Sequence, residues 1–483
     1  MASRPSPLTV LGAALASAVL LALSFPVQPL AWAVWIAPLP LLWIAPRVGA
    51  RTALLAAAAA WLAGQARVLW YLHDPVGTPT LLLAVSGLLT TALYTGATML
   101  FRALAVRGRI TLAAFAFPAA VTAAEYAVSI VNGKAAGQWW SFAYTQADVA
   151  AVLQLAAVTG IWGLTFLVTA ASSVIAAATA PGASARTRAW TGGALATALA
   201  LTVAYGLQRP APAEETVRAG ALALPAPTDS LPVDTPAAEA LFADYREVLT
   251  DLSGEADLLV LPEKTFSVRA DDDPAAYLDR WSDLAADTGI DLVLGLALEA
   301  DGEFYNVAVW LPADGSATAV YRKQHLVAGV EDWITASDDG PVTVPGTGDR
   351  WAMTICKDLD YTRTMAEYGD AALVLAPALD FHEDGWWHSR VALTRGVEQG
   401  FALVRTGQYG RMTVSDPYGR VLAEDERLAL AAVPVDGADT VYSRFGDWFL
   451  APTAAVLVLG LVLARRRPRS TLDTTAPPPG SAG

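Results

Sequence analysis

The sequence predicts two architectures in one chain: a polytopic α-helical membrane bundle of about eight spans, and a layered α/β domain held outside it. Three observations carry this. Hydrophobic residues fill 54% of the 483 positions and charged residues only 16%, a balance foreign to soluble proteins. Through residue 210 the only acidic side chains are Asp74, Glu125 and Asp148, whereas 211–450 hold 42 acidic and 17 basic residues. The hydrophobic pattern changes at the same place, from long apolar runs to short strands alternating with helices.

Apolar runs suited to spanning helices lie near 8–25, 30–46, 53–72, 79–101, 110–131, 149–179, 189–207 and 448–464. The first resembles a signal peptide in composition, but further runs follow at once, which predicts a retained helix. Pro38 and Pro40 predict a broken or re-entrant second segment. Basic residues set the orientation. Arg4, Arg47 and Arg51, Arg102, Arg107 and Arg109, Arg186 and Arg188, and Arg465, Arg466, Arg467 and Arg469 all fall on one side of an eight-span chain, the cytoplasmic one. His73, Asp74, Lys134 and the whole of 211–447 fall on the other. The chain therefore divides into an N-terminal membrane domain of about seven helices (1–210), an extracytoplasmic domain (211–447), a C-terminal transmembrane helix (448–464) and a disordered cytoplasmic tail (465–483). Glu125 sits inside an apolar run, where an unpartnered carboxylate costs several kcal/mol, so it is functional, a helix-packing contact or a residue near the interface. Trp139, Trp140, Phe142 and Tyr144 read as an interfacial aromatic belt.

The acidity of the outer domain gives it no electrostatic claim on nucleic acid or on an anionic membrane face. The single cysteine, Cys356, excludes a disulfide within the chain. No cluster of His, Cys and carboxylates has ligand spacing, so neither metal nor organic cofactor is implied, and the four histidines read as structural or surface residues.

Strands are predicted at 217–224, 257–261, 291–298, 304–311, 351–356, 371–375, 401–406, 412–415 and 428–433, with helices at 236–252, 274–288, 362–368 and 387–399. Three polar residues stand at strand ends, where chemistry is usually built. Leu258–Leu261 stops at Pro262 and Glu263; Tyr321 and Arg322 lead to Lys323; Trp351–Ile355 leads into Cys356. A thiol at a strand-to-helix turn has backbone N–H groups nearby, which favour thiolate. Taken alone, Glu263 reads as a solvated loop carboxylate and Lys323 as a surface charge.

Taken together and in order, LVLPEKTF, YRKQHLV and MTICKDLDY resemble the Glu–Lys–Cys motifs of the nitrilase superfamily, over about 211–440. The resemblance implies an αββα sandwich, with Glu263 as general base, Lys323 as oxyanion stabiliser and Cys356 as nucleophile. Elementary chemistry gives the three groups the same tasks. A nitrilase-like domain between the seventh and eighth helices is similar to the apolipoprotein N-acyltransferase family. LALSFP, GQWWSFAYTQ, GIWGLTFLV and TVYSRFGDWF add to that resemblance. The run KQHLVAGVE keeps the family's lysine-to-glutamate spacing, which implies that Glu331 is a second essential carboxylate.

Departures lie close by. Ala328, Gly329 and Val330 replace the usual Pro-Phe-Gly, and Lys357-Asp358 replaces Tyr-Glu after the nucleophile. Asp358 retains a carboxylate of shorter reach; Lys357 sets a cation beside the thiol, where it would favour thiolate or signal another donor or acceptor. His382, Trp386 and Trp387 form a loop unlike the common one, either a lipid-capturing lid or ordinary packing. The resemblance implies acyl transfer from a phospholipid, through a thioester on Cys356, to the amine of a diacylglyceryl-cysteine lipoprotein at the outer face of the cytoplasmic membrane, by a monomer. The alternatives are a membrane-anchored amidase with water as acceptor, and a transporter or lipid-binding protein with an idle domain.

Overall fold

The computed structural model of the protein describes residues 5–25, 27–131, 137–209 and 215–466. Arg4, Lys134, Arg467, Arg469, the junction at 210–211 and the tail expected to be disordered lie outside the described residues, in whole or nearly so.

The membrane half runs through α1 (Pro7–Ser24), α2 (Ala33–Ile36), α3 (Leu39–Ile44), α4 (Ala50–Gly64), α5 (Ala66–His73), α6 (Thr80–Ala105), α7 (Ile110–Val131), α8 (Ala150–Leu153), α9 (Ala156–Ala178) and α10 (Ala185–Gln208). Among the described residues, α1, α6, α7, α9 and α10 are long and apolar enough to cross a membrane, and α4 with α5, bent by 42°, would make a sixth. The apolar segments Ala33–Arg47 and Leu450–Arg465 are shorter. The first is broken between α2 and α3 at Ala37 and Pro38, as the prolines predict, because proline supplies no N–H to the helical ladder.

Arg47 Nη2 donates to Thr179 O at 2.5 Å and Arg102 Nη2 to Val48 O at 2.9 Å, so three of the arginine-bearing turns meet at one end of the bundle. The expected aromatic belt does not form as such. Phe142 and Tyr144 are buried, and Trp140 stacks on Phe25 with ring centroids 5.0 Å apart. Glu125 folds them inward: its carboxylate accepts from Ser141 Oγ (2.6 Å), Thr165 Oγ1 (2.7 Å) and Phe142 N (3.0 Å). Of its three readings, this is the packing contact, and the hydrogen bonds offset its burial.

Among the described residues the second half supplies fourteen strands: β1 (Thr216–Leu222), β2 (Leu231–Pro232), β3 (Leu258–Val260), β4 (Phe266–Val268), β5 (Asp291–Ala300), β6 (Glu303–Leu311), β7 (Ala319–Arg322), β8 (Val342–Thr343), β9 (Trp351–Met353), β10 (Leu373–Leu379), β11 (Ala402–Gln408), β12 (Met412–Ser415), β13 (Val421–Asp425) and β14 (Leu428–Pro434). They are interspersed with α11 (Pro236–Asp251), α12 (Pro274–Thr288), α13 (Thr362–Ala366) and α14 (Gly385–Gln399), and followed by α15 (Val441–Phe445) and α16 (Leu450–Arg465). One sheet runs β14-β1-β3-β5-β4-β2 with β6 and β7 paired beyond β5; the other runs β13-β12-β11-β10-β9-β8.

Strand alternation gives each sheet two buried faces. Leu258 and Val260 of β3 and Leu373 and Leu375 of β10 share one core between the sheets. Leu259 and Leu292 face Leu241, Tyr245 and Trp281 of α11 and α12. Val374 and Ala376 face Met365 and Ala392 of α13 and α14. The layers are therefore helix, sheet, sheet, helix. Burying a side chain such as Trp281 or Leu259 completely contributes about 1.5–3 kcal/mol each.

The two halves are joined by polar bonds at a backbone irregularity. Gly160 leaves helical geometry within α9 (φ 64°, ψ −171°). The freed N–H of Ile161 donates to Glu398 Oε1 of α14 at 2.8 Å. Arg395 pairs with Glu398 and donates to Tyr144, while Trp162 Nε1 (2.7 Å) and Tyr442 Oη (2.9 Å) both donate to Asp447 Oδ1. The Tyr442 ring lies over Gly160 so closely that a Cβ there would sit 2.4 Å from a ring carbon. Gly160→Ala should therefore lower stability by about 1–3 kcal/mol from backbone strain alone, with the collision added. Thermal unfolding in detergent would measure it against Gly192→Ala on α10, where a Cβ meets nothing within 4 Å and no loss is expected.

Candidate active site

Three strand ends converge. The chain leaves β3 through Pro262 and passes over β5 at Gly295, where a Cβ would lie 2.1 Å from Pro262 O. Only glycine admits that approach, and it fixes Glu263 at the edge of the inter-sheet core. Lys323 follows β7, held by a bond from its N–H to Asn306 O (2.9 Å). Cys356 follows β9 at the start of a 3-10 turn, Cys356–Asp360, with φ 44°. That left-handed conformation is rare for a residue with a Cβ and turns the side chain sharply out of the strand direction.

Glu263, Lys323 and Cys356 are brought together as the motifs predict, and Glu331 with them. Lys323 Nζ lies 2.7 Å from Glu263 Oε1 and 2.7 Å from Glu331 Oε2. Glu263 Oε2 accepts from Leu379 N at 2.9 Å, and the Cys356 thiol donates to Leu379 O at 3.7 Å. One residue at the end of β10 thus carries a bond to the carboxylate through its N–H and another to the thiol through its C=O. Val327 N donates to Glu331 Oε2 at 2.9 Å, which anchors the loop bearing that glutamate.

Glu263, Lys323 and Glu331 are each only 1% exposed, and Cys356 is half-buried. Burial opposes the Lys323 ammonium, yet Glu263 and Glu331 hold its pKa well above the ordinary value. Burial likewise pushes Glu331 up, but Lys323 and Lys264 outweigh it and hold the carboxyl well below the usual range. The expectation that the turn favours thiolate is not met. Burial and the charge of Glu263 push the Cys356 thiol well up, against the smaller pull of Lys323 and Arg405. A five-residue 3-10 turn brings too small a dipole to overcome them.

The departures sit around this centre. Lys357 is turned to Asp360, 4.0 Å away, while the largest charge effects on the thiol come from Glu263, Lys323, Arg405 and Asp380. Asp358 is buried and accepts from Tyr321 Oη and His325 N, both at 2.8 Å; burial pushes its pKa up to about 7. It braces the strand that delivers Lys323. Burial, with Lys357 and Lys323, pushes His325 down to about 4, and its ring stacks on Tyr361 at 3.6 Å.

Trp387 is buried and donates to Trp139 O at 2.7 Å, so it is a packing residue. Trp386 donates to Asp148 Oδ2 at 3.1 Å, and His382 packs near Tyr409. The membrane half forms part of the rim. Gln138 N donates to Asp360 O at 2.8 Å, and Tyr71 donates to Asp384, which also pairs with His388. Burial works against the His388 imidazolium, but Asp384 raises its pKa to about 9. Among the described residues, no group of three His, Cys, Asp or Glu could hold a metal ion.

Three participants were not singled out from the sequence. Asn306 Nδ2 donates to Glu263 Oε1 (2.6 Å) and Glu331 Oε1 (2.9 Å). A lone amide in the apolar strand FYNVAVWL was the signal available, since a buried polar group demands a partner. Lys264 Nζ lies 2.8 Å from Glu331 Oε1. Leu379 acts through its backbone, which no side-chain pattern reveals.

Known proteins share both halves. A family model described as the apolipoprotein N-acyltransferase N-terminal domain matches residues 17–174, and one described as carbon-nitrogen hydrolase matches 235–440. An apolipoprotein N-acyltransferase of Geobacter metallireducens is 27% identical over 94% of this chain and 95% of its own. That of Bradyrhizobium diazoefficiens is 26% identical over 68% of this chain and 69% of its own. The solved structure of an amidase from Nesterenkonia sp. AN1 is 20% identical, covers 51% of this chain and 100% of the amidase, and gives a TM-score of 0.41. With a matching membrane half, a matching hydrolase half and near full-length relatives of one kind, this chain belongs to the apolipoprotein N-acyltransferase family, a membrane-embedded branch of the nitrilase superfamily.

Proposed function

We propose that the protein moves a fatty acyl group from a phospholipid, through a thioester on Cys356, to the N-terminal amine of a diacylglyceryl-cysteine lipoprotein. The observation that carries this reading is the shared backbone of one residue: Leu379 N on Glu263 and Leu379 O on the Cys356 thiol, with Lys323 on the other carboxylate oxygen. Carboxylate and thiol are thus held by one strand end, and the cation by the carboxylate.

In the first step the thiol proton passes to Glu263 as sulfur attacks the ester carbonyl. Lys323 and backbone N–H groups hold the oxyanion. Collapse breaks the ester C–O bond; Glu263 returns the proton to the leaving oxygen, and lysophospholipid departs. In the second step the acceptor amine attacks the thioester, Glu263 removes its proton, and the C–S bond breaks to restore the thiol and leave an amide. No net oxidation occurs and protons balance in each half. Glu331 keeps Lys323 in place, and Asp358 steadies the strand beside it.

The gathering of Arg47, Arg102 and Thr179 at one end of the bundle supports a cytoplasmic assignment for that end, which would put this domain on the extracytoplasmic face of the inner membrane. Contact between 137–140 and the loop after Cys356 supports entry of substrates from the bilayer side. All the site groups come from one chain, which supports a monomer as the working unit.

Purified protein incubated with labelled phospholipid should carry an acyl group on Cys356, visible by mass spectrometry and absent from Cys356→Ala. A diacylglyceryl peptide should remove it and gain an N-acyl group. An adduct lost to water while the peptide is ignored would make the protein a hydrolase, and no adduct would exclude phospholipid as donor. Asn306→Ala should slow adduct formation roughly 10- to 200-fold, the equivalent of the ~1.5–3 kcal/mol contributed by hydrogen bonds to charged groups. Single-turnover rates on a variant with unchanged thermal unfolding would measure this.

A further inference from the structure

Lys264, the residue after Glu263, is buried and has a left-handed backbone conformation, φ 50°. Its Nζ lies 2.8 Å from Glu331 Oε1 and 3.7 Å from Glu263 Oε1. Lys323 reaches the same two carboxylates at 2.7 Å each. Four charges therefore form a closed ring of alternating sign, with the Asn306 amide donating to both anions. The ring is neutral as built.

With one lysine the two carboxylates would leave a buried net negative charge, and a thiolate at Cys356 would have to form beside it. Proton transfer from Cys356 to Glu263 only moves the negative charge from oxygen to sulfur, so two lysines balance the site before and after that step. Oxyanion formation also asks Lys323 to turn an N–H toward substrate. Glu331 would then lose a partner in a place where an unpaired carboxylate is costly.

We propose that Lys264 is a positioning residue for acylation at Cys356: its ammonium holds Glu331 in place as an anion, so that Lys323 is free to serve the thiolate and the oxyanion. This rests on Cys356 being the nucleophile, as proposed above. Lys264 acts through Glu331 and does not touch the reacting atoms. The largest charge effects on the thiol come from Glu263, Lys323, Arg405 and Asp380, and those on Lys323 from Glu263, Glu331, Cys356 and Asp358.

The single cysteine makes the test direct, since alkylation by iodoacetamide reports on Cys356 alone and Cys356→Ala is the blank. The rate is followed against pH on the full-length protein in detergent. In the wild type the midpoint should lie above that of a free cysteine, about 8.5. Lys264→Met should move it higher by about one pH unit, because the buried network then carries a net negative charge and Glu331 draws Lys323 toward itself. Lys264→Arg should keep it near the wild-type position.

A folded Lys264→Met variant with an unmoved midpoint, or an arginine variant that shifts as far as the methionine one, would overturn the proposal. Should Lys264→Met not fold, the paired variant K264M/E331Q, which leaves no unpaired charge, should fold; its failure to do so would assign Lys264 to packing and end the proposal too. Phospholipid is absent from this measurement, so the outcomes separate. A wild type that alkylates normally but takes no acyl group sinks the choice of donor. A wild type that never alkylates at any pH sinks Cys356 as nucleophile. An unmoved midpoint sinks only the role of Lys264.

Discussion

Burying ions between two apolar sheets is the constraint on which the site depends. A carboxylate or ammonium taken out of water without a partner costs several kcal/mol, and partners repay this only when geometry and hydrogen bonds are good. Here Glu263 and Glu331 face Lys323 and Lys264, Asn306 donates to both carboxylates, and Leu379 and Val327 add backbone donors. The donors come from β6, the end of β10 and the loop after β7, so the network holds only when both sheets are in register. Glycine at 295 serves the same end, by letting the chain after β3 pass close enough to deliver Glu263.

The membrane half takes part in this order as well as anchoring it. α14, which carries Glu398 and Arg395, covers the outer face of the sheet whose strand β10 ends at Leu379, and Glu398 accepts the Ile161 N–H at the Gly160 break in α9. Burial pushes the Glu398 carboxyl up to about 7, and Arg395 pulls the other way. On the opposite side Tyr71 reaches Asp384, in the loop just past Leu379 and Asp380, while Asp380 pairs with Arg405 of β11. A shift of the bundle against the domain would therefore strain the strand end to which both the thiol and the carboxylate are bonded.

The sequence made the two halves legible because they obey different physical rules: long apolar runs with arginines at one end of each pair, then alternating strands and helices. Glu263, Lys323 and Cys356 could be read because each stands where an apolar strand stops, and Glu331 because its spacing from Lys323 fits a motif. The shorter segments 33–47 and 450–465 show where runs of apolar residues overstate helix length: prolines break the first. Trp140, Phe142 and Tyr144 have the composition of a lipid-facing belt, yet Glu125, forty residues in sequence from Thr165, turns them inward through contacts no local pattern contains. Lys264 was hidden in its own motif, since only a left-handed backbone turns a neighbour of Glu263 toward Glu331. The upward push on the thiol pKa was not legible for a related reason: a turn type can be inferred locally, but the charge of Glu263 at the thiol arises only in the fold.

That protonation state fits the proposed chemistry and place. Thiolate, not thiol, is the form that reacts with oxidants, and a chain with a single cysteine has no second one to form a reversible disulfide with it. Burial and the charge of Glu263 both favour the protonated thiol, the form less open to oxidation. In the proposed reaction the same carboxylate would accept the proton when a carbonyl arrives; once Glu263 is neutral, its repulsion of the developing thiolate vanishes while the attraction of Lys323 remains. On that proposal one carboxylate would suppress the nucleophile at rest and release it during attack, so that reactivity is coupled to the presence of an acyl group rather than stored in the free enzyme.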